Sequence, residues 1–186
     1  HVTGATVLAA SVTGSMVTVP GGGSGVTNER HLHLVGRPYD IDVRLGGDMA
    51  VVAGSEGLVL LSLQGGGVIA TATDQVSDGG EVWVSLDGRV LSWANGTSFS
   101  AGLARIEGRQ SQQITIEGVN PFYVWVAPNG ERAIALDEKR GALLVDTDDG
   151  RVVATLLADV SDGAIPAMTD SLVAIIDGSG TVTDFD

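Results

Sequence analysis

The segment GVIATATDQVSDG, ending at Gly79, returns as RVVATLLADVSDG, ending at Gly163, an offset of 84 residues. Upstream, PYDIDVRLGGDMAVVA lies against PFYVWVAPNGERAIAL with Pro38 on Pro121, an offset of 83. Downstream, VSLDG ends at Gly88 and AIIDG at Gly178, an offset of 90 that implies a small insertion. The stretch 36–88 is thus related to 119–178 within a single domain spanning 1–186. A chain that carries the same order of elements twice is built from a repeated structural unit, so its core is shared between neighbouring repeats.

The unit itself is made of strands. No window holds a 3.6-residue apolar period, whereas short β-branched runs bounded by Gly, Asp and Asn recur throughout. Five hairpins stand out, TVLAASVTGSMVTV, MAVVAGSEGLVLLSL, EVWVSLDGRVLSW, RAIALDEKRGALLVD and LVAIIDGSGTVTDF, with turns near Thr13, Ser55, Asp87, Lys139 and Gly178. These steps of 42, 32, 52 and 39 residues average close to the length of one four-stranded propeller blade. The sequence therefore predicts an all-β fold, a β-propeller-like array of about five antiparallel four-stranded blades. An inner strand (YDIDV or FYVWVA) is followed by MAVVA or RAIAL, then LVLLSL or ALLVDT, then an outer VIATAT or VVATLLA. The first blade lacks an inner strand and the last an outer one. Because open edges invite pairing, the array is expected to be part of a larger propeller, or to have its edges covered by further blades of the same polypeptide or by a partner chain.

Composition narrows the function. The formal charge is −13 and only ten residues are Lys or Arg, which opposes binding to the phosphate backbone of nucleic acid. Gly and polar residues interrupt every apolar run short of the roughly 20 residues a spanning helix needs, so no membrane span is expected. There is no cysteine, which removes thiolate chemistry and disulfides. The opening HVTG suggests a processed product or an excised piece, and the thiol-free, Gly-, Val- and Thr-rich acidic composition suggests an extracytoplasmic protein, secreted or in the cell envelope.

The stretch VAPNGERAIALDEKRGALLVDTDDGRVVATL, Val126 to Leu156, resembles the YVTN-type propeller repeat. Its Pro-Asn-Gly turn is Pro128, Asn129 and Gly130, its Asp-Thr-x-x-Gly turn runs from Asp146 and Thr147 to Gly150, and its closing strand is Val152 to Leu156. The copy at Asp48 to Thr73 matches loosely. The resemblance implies that these residues build turns and blade packing, and that relatives range from surface-binding propellers to lactonase-like enzymes. It speaks to fold more than to activity.

HLHLVGRPYDID, His31 to Asp42, is the most ligand-like stretch, with two histidines and two aspartates each at i, i+2. Such spacing puts both side chains of a pair on one face of a strand, and the residue types suit a first-row metal. The blade assignment separates the pairs, with HLHLV an outer strand and YDIDV the next inner strand, roughly 14 Å apart at about 4.8 Å per strand. Asp40 and Asp42 then remain as candidates to hold a divalent cation, Ca²⁺ or Mg²⁺, near the channel, with neutralisation by Arg37 and Arg44 as the alternative. They align with Tyr123 and Trp125, so the fold does not demand carboxylates there. Tyr123 and Trp125, with Phe122, Trp83 and Trp93, are candidates for a ligand platform or for inter-blade core.

The remaining motifs reduce to structure. DTDDG, Asp146 to Gly150, lacks the spacing and the twelfth-position Glu of a calcium loop and reads as a turn. GGGSG, Gly21 to Gly25, lacks the Gly-Lys-Ser/Thr ending of a phosphate loop. Asn95-Gly96-Thr97 is a sequon but also a turn signal. No G-x-S-x-G is present, and His1, His31 and His33 leave little place for a histidine base. The expectation is a non-catalytic binding or scaffold module for a protein or polysaccharide ligand. The alternative is a lactonase-like hydrolase with a cation held by the channel carboxylates.

Overall fold

The computed structural model describes residues 6–10, 15–20, 28–31, 38–43, 49–54, 57–62, 68–72, 80–95, 98, 100–160, 164–177 and 179–185. Every regular element among them is a strand. β1 (Thr6–Ala10), β2 (Ser15–Pro20) and β3 (Asn28–His31) form one antiparallel sheet. β4 (Pro38–Val43), β5 (Met49–Gly54), β6 (Gly57–Ser62) and β7 (Val68–Ala72) form a second blade, and β8 (Glu81–Val84), β9 (Val90–Asn95), β10 (Ser100–Glu107) and β11 (Gln110–Ile114) a third. A single parallel bridge, Gln110 to Thr71, joins the outer strands of these two blades into one eight-stranded sheet. β12 (Tyr123–Val126), β13 (Arg132–Asp137), β14 (Gly141–Asp146) and β15 (Val152–Leu157) make the fourth blade. β16 (Ile165–Met168), β17 (Val173–Ile176) and β18 (Val182–Phe185) make a three-stranded fifth. Among the described residues the blade array, with a three-stranded sheet at either end, is as the sequence predicts.

One hairpin differs. The turn at Asp87 joins β8 to β9, an inner strand to its neighbour, whereas those at Ser55, Lys139 and Gly178 join second strands to third. The matching connection in the third blade lies between Asn95 and Ser100. That places it midway between Ser55 and Lys139 and removes the irregular steps of 32 and 52. The Asp-Gly pair at 87–88 is a strong turn signal, but it corresponds to Asn129-Gly130, the turn before the second strand of the fourth blade.

Pairing registers make the blades superimposable position by position. Asp40 faces Ala53, Glu81 faces Ala94, Tyr123 faces Leu136 and Ile165 faces Ile176. Two residues on, Asp42, Trp83, Trp125 and Ala167 face Val51, Ser92, Ile134 and Ala174. Because opposed residues share a sheet face, each of these inner-strand residues lies on the face its blade turns toward the next one.

Among the described residues the apolar core consists of three layers between successive blades. Val51, Ala53, Leu58 and Leu60 of the second blade meet Val82, Leu91 and Trp93 of the third. Val90, Leu103 and Ile116 of the third meet Val124, Val126, Leu143 and Val145 of the fourth. Ile134, Leu136 and Ala142 of the fourth meet Ala164, Val173 and Ile175 of the fifth. Strands such as GLVLLS and RAIALD are apolar on consecutive residues because both of their faces are covered. Each fully buried Leu or Ile contributes about 1.5–3 kcal/mol.

The fifth blade breaks this rule on one face. Ile176 and Val182 occupy the positions of Leu136 and Ala142, which are 0% exposed, yet they are 43% and 58% exposed. With Ile165, at 55%, they form an apolar row across three strands.

Candidate functional site

Inner strands have one side paired and the other turned to the central channel, so every second amide needs an acceptor from elsewhere. On β8 these amides belong to Val82 and Val84. Val82 donates to Asp40 Oδ2 at 2.9 Å and Val84 to Asp42 Oδ2 at 3.0 Å. The i, i+2 spacing of the aspartates matches the i, i+2 spacing of the amides, so one strand clasps the next.

At the following junction the chemistry changes. Trp83 stands where Asp42 stands and accepts nothing, since an indole is only a donor. The amide of Val126, equivalent to Val84, instead donates to Ser92 Oγ at 3.1 Å. Ser92 is fully buried and takes the place of Val51. In the fifth blade Pro166 occupies the position of Val82 and Val124, so that amide does not exist. Proline is tolerated there because the N–H would face away from the ladder.

The aromatics divide by role. Trp93 is core, 4% exposed, with its ring lying over Gly102. Trp83 packs on the layer between the third and fourth blades, and Tyr123 and Phe122 on the next. Trp83 stacks on Trp125 with centroids 5.1 Å apart and 23° between planes, and meets Tyr123 at 5.0 Å and 51°. Trp125 is partly exposed and packs on none of the three layers. The Tyr123 hydroxyl donates to Glu81 Oε2 at 2.9 Å. Burial pushes the phenol pKa well up, and the negative charges of Glu81 and Asp40 and the hydrogen bond to Glu81 add to it. Glu81 and Trp83 complete the row that the sequence comparison of Asp40 and Asp42 with Tyr123 and Trp125 had skipped. A one-blade alignment, with the turn at 95–100 in place of Asp87, would have found them.

His31 does not join the aspartates in one sheet. His31 ends β3 in the first sheet, while Asp40 and Asp42 lie on β4 in the next. His1, His33, Arg37, Arg44 and the 21–25 glycine stretch lie outside the described residues. Among the described residues no group of three or more His, Cys, Asp or Glu is placed to hold a metal, and no helix is long and apolar enough to cross a membrane.

Two rim features are polar. A cleft of about 300 Å³ is lined by Ser98, Asn120, Phe122, Asp137, Glu138 and Lys139. Burial works against ionisation of Asp137, but the amides of Asn120, Lys139 and Arg140 and the charge of Arg140 outweigh it and hold its carboxyl below the usual range. DTDDG is a turn. Asp146 pairs with Arg132 and accepts the Asp148 amide, while Asp148 takes Arg105 from the third blade. Thr147 Oγ1 donates to the Gly130 carbonyl, tying this turn to the Pro-Asn-Gly turn. Gly150, at φ 75°, closes it where a Cβ would strike the Thr115 carbonyl. Asn95 is buried, and its side-chain amide donates to Ser100 Oγ.

No family model matches the sequence, and no curated protein matches it. Among solved structures the chain is similar to the β-propeller domain of Cps50 (Swd1) from Myceliophteria thermophila, with a TM-score of 0.71 and 11% identity over 98% of this chain and 61% of that one. It is similar to hydrazine synthase from Kuenenia stuttgartiensis, with a TM-score of 0.60 and 19% identity over 87% and 49%. A functionally unknown protein from Desulfotomaculum acetoxidans gives 0.57 and 15% over 97% and 65%. The chain spans about half to two thirds of each. At such identities the likeness establishes the fold, an all-β propeller.

Proposed function

We propose that the chain is a non-catalytic propeller module, with YVTN-type repeats, of a secreted or cell-envelope protein, and that it recognises a protein or polymer ligand through its channel face and loops. The observation that carries this reading is the inner-strand row. Val82 and Val124 face the core and stay β-branched, while the positions one residue earlier on successive inner strands, on the opposite sheet face, run Asp40, Glu81, Tyr123 and Ile165. A fold that needed only amide acceptors would not vary them so widely. The carboxylates of Asp40 and Asp42 act as acceptors for the next strand, a structural use of groups that an enzyme would keep for a cation or a proton. Thermal melting should be unchanged by Ca²⁺, Mg²⁺ or Zn²⁺; a cation-dependent rise in Tm that Asp40→Ala abolishes would replace this reading with the hydrolase of lactonase type.

The apolar row of Ile165, Ile176 and Val182 belongs to the same proposal. The fourth blade covers its equivalent row with the fifth, so a further blade, of the same polypeptide or of a partner chain, is the matching cover. The chain should self-associate in light scattering, and Ile176→Asp with Val182→Asp should return it to a monomer. A monomeric parent with no exposed apolar dye-binding surface would remove the argument.

A further inference from the structure

The third and fourth blades each have four strands, so a cleft between them belongs to the array and not to its ends. Three connections meet there. The one from β9 to β10 carries Ser98, the crossing from β11 to β12 carries Asn120 and Phe122, and the β13–β14 turn carries Asp137, Glu138 and Lys139. Together they line the cleft of about 300 Å³, at the low end of the range for small-ligand sites, about 300–1,000 Å³. Asp137, at 5% exposure, sets its shape. Its Oδ1 accepts the amides of Lys139 and Arg140 within its own turn, and its Oδ2 reaches across to the amide of Asn120 on the crossing. Asp177, its equivalent in the fifth blade, uses Oδ1 on Ser179 and Thr181 of its own turn alone. Asp137 thus ties two connections into one wall, and a wall fixed in advance lowers the cost of binding.

The lining selects the chemistry of its occupant. Asp137, despite its burial, is held ionised by those three amides, and with one bond on Oδ2 it can accept another. Among the described residues the side chains of Asn120, Glu138 and Lys139 have no hydrogen-bond or ion-pair partner, and Ser98 shares its hydroxyl with Ser100. An anionic ligand would meet two carboxylates in a chain of formal charge −13. A bare cation would meet the Lys139 ammonium, with no third carboxylate or histidine in the lining to offset it. A wholly apolar ligand would strand donors and acceptors alike. A sugar hydroxyl both donates and accepts, so it answers carboxylate, ammonium and carboxamide at once. The C–H surface of a sugar ring suits Phe122, which lines the cleft and also packs on the core layer between the fourth and fifth blades. We propose that this cleft binds an uncharged sugar unit of a polysaccharide. This rests on the binding-module reading and names the class of its ligand.

The test is saturation-transfer difference NMR of the chain with maltotriose, cellotriose and mannotriose as neutral probes, and with trigalacturonate and triglucosamine as charged ones. At least one neutral trisaccharide should bind, with saturation reaching its carbon-bound ring protons, and both charged ones should bind more weakly. Asn120→Ala and Lys139→Ala should each weaken that binding about three- to tenfold, the worth of one hydrogen bond, with Tm unchanged. Phe122→Ala should abolish it but also loosens a core layer, so the two surface variants carry the test. No binding of any neutral trisaccharide, tighter binding of a charged one, or neutral binding indifferent to both surface variants would overturn the proposal. A short Gly/Ser peptide carrying arginines, titrated alongside, distinguishes the two levels. If it binds where no neutral sugar does, the ligand class is wrong and the module reading stands. If neither sugars nor peptide bind, both fall.

Discussion

Between the second and third blades, the channel-side amides of Val82 and Val84 are met by two carboxylates from the preceding strand. Between the third and fourth, the amide of Val126 is met by the hydroxyl of Ser92, and the inner-strand position is released to an aromatic ring. The two junctions have matching inner-strand registers and a layered apolar core, though only the first also carries the outer-strand bridge from Gln110 to Thr71. They differ in which strand supplies the acceptor: the inner strand itself in the first, the second strand in the other. Once Ser92 replaces the valine found at position 51, the position of Asp42 no longer has to be polar. Trp83 can occupy it, and the stack onto Trp125 follows. The difference teaches that an acceptor moved one strand away frees the inner-strand position for an aromatic ring.

If that account holds, the junctions should fail unequally. Trp83→Ala removes a ring that packs on the core layer and stacks on Tyr123 and Trp125, and should cost about 3 kcal/mol, at the lower end for Trp→Ala because the ring is partly exposed. Asp42→Ala strands one amide that water from the channel can reach in part, and should cost about 1–2 kcal/mol. Urea unfolding at constant m reads both. A larger loss for Asp42→Ala than for Trp83→Ala would mean that the carboxylate clasp, not the aromatic layer, dominates junction stability.

The sequence made the repeat, the strand order and the open ends legible because each rests on local signals: β-branched runs, turn residues and self-similarity. It placed Asp40 and Asp42 on an inner strand and matched them to Tyr123 and Trp125. It did not show what the aspartates bind, since their partners are backbone amides 42 residues away, and a backbone amide has no sequence signature. Ser92 was hidden for a related reason. A serine inside an apolar strand reads as a weak point until the uncapped amide of the next blade is known. The turn at Asp87 misled because Asp-Gly marks a tight turn without saying which pair of strands it joins.

A smaller effect separates the junctions by pH. Tyr123 bridges the third and fourth blades through Glu81, and its phenol is raised chiefly by burial, then by the charge of Glu81 and the hydrogen bond to it. An acid whose folded pKa lies above its unfolded value keeps its proton longer in the native state. Its contribution is therefore complete below the ordinary tyrosine value near pH 10, and is lost as the pH rises past that value toward the folded one. Absorbance at 295 nm should accordingly show Tyr123 protonated in the native protein well above pH 10, ionising only as the fold is lost. Glu81→Gln should lower the midpoint without restoring the ordinary value, because burial remains, and should lessen the alkaline loss of stability. Asp40→Asn, which carries a weaker charge effect on the phenol, should move the midpoint less. A midpoint at the ordinary value in the parent would mean that the third and fourth blades are not joined through Tyr123, and would leave the Trp83–Trp125 stack and the Val126–Ser92 hydrogen bond to distinguish that junction from the carboxylate clasp.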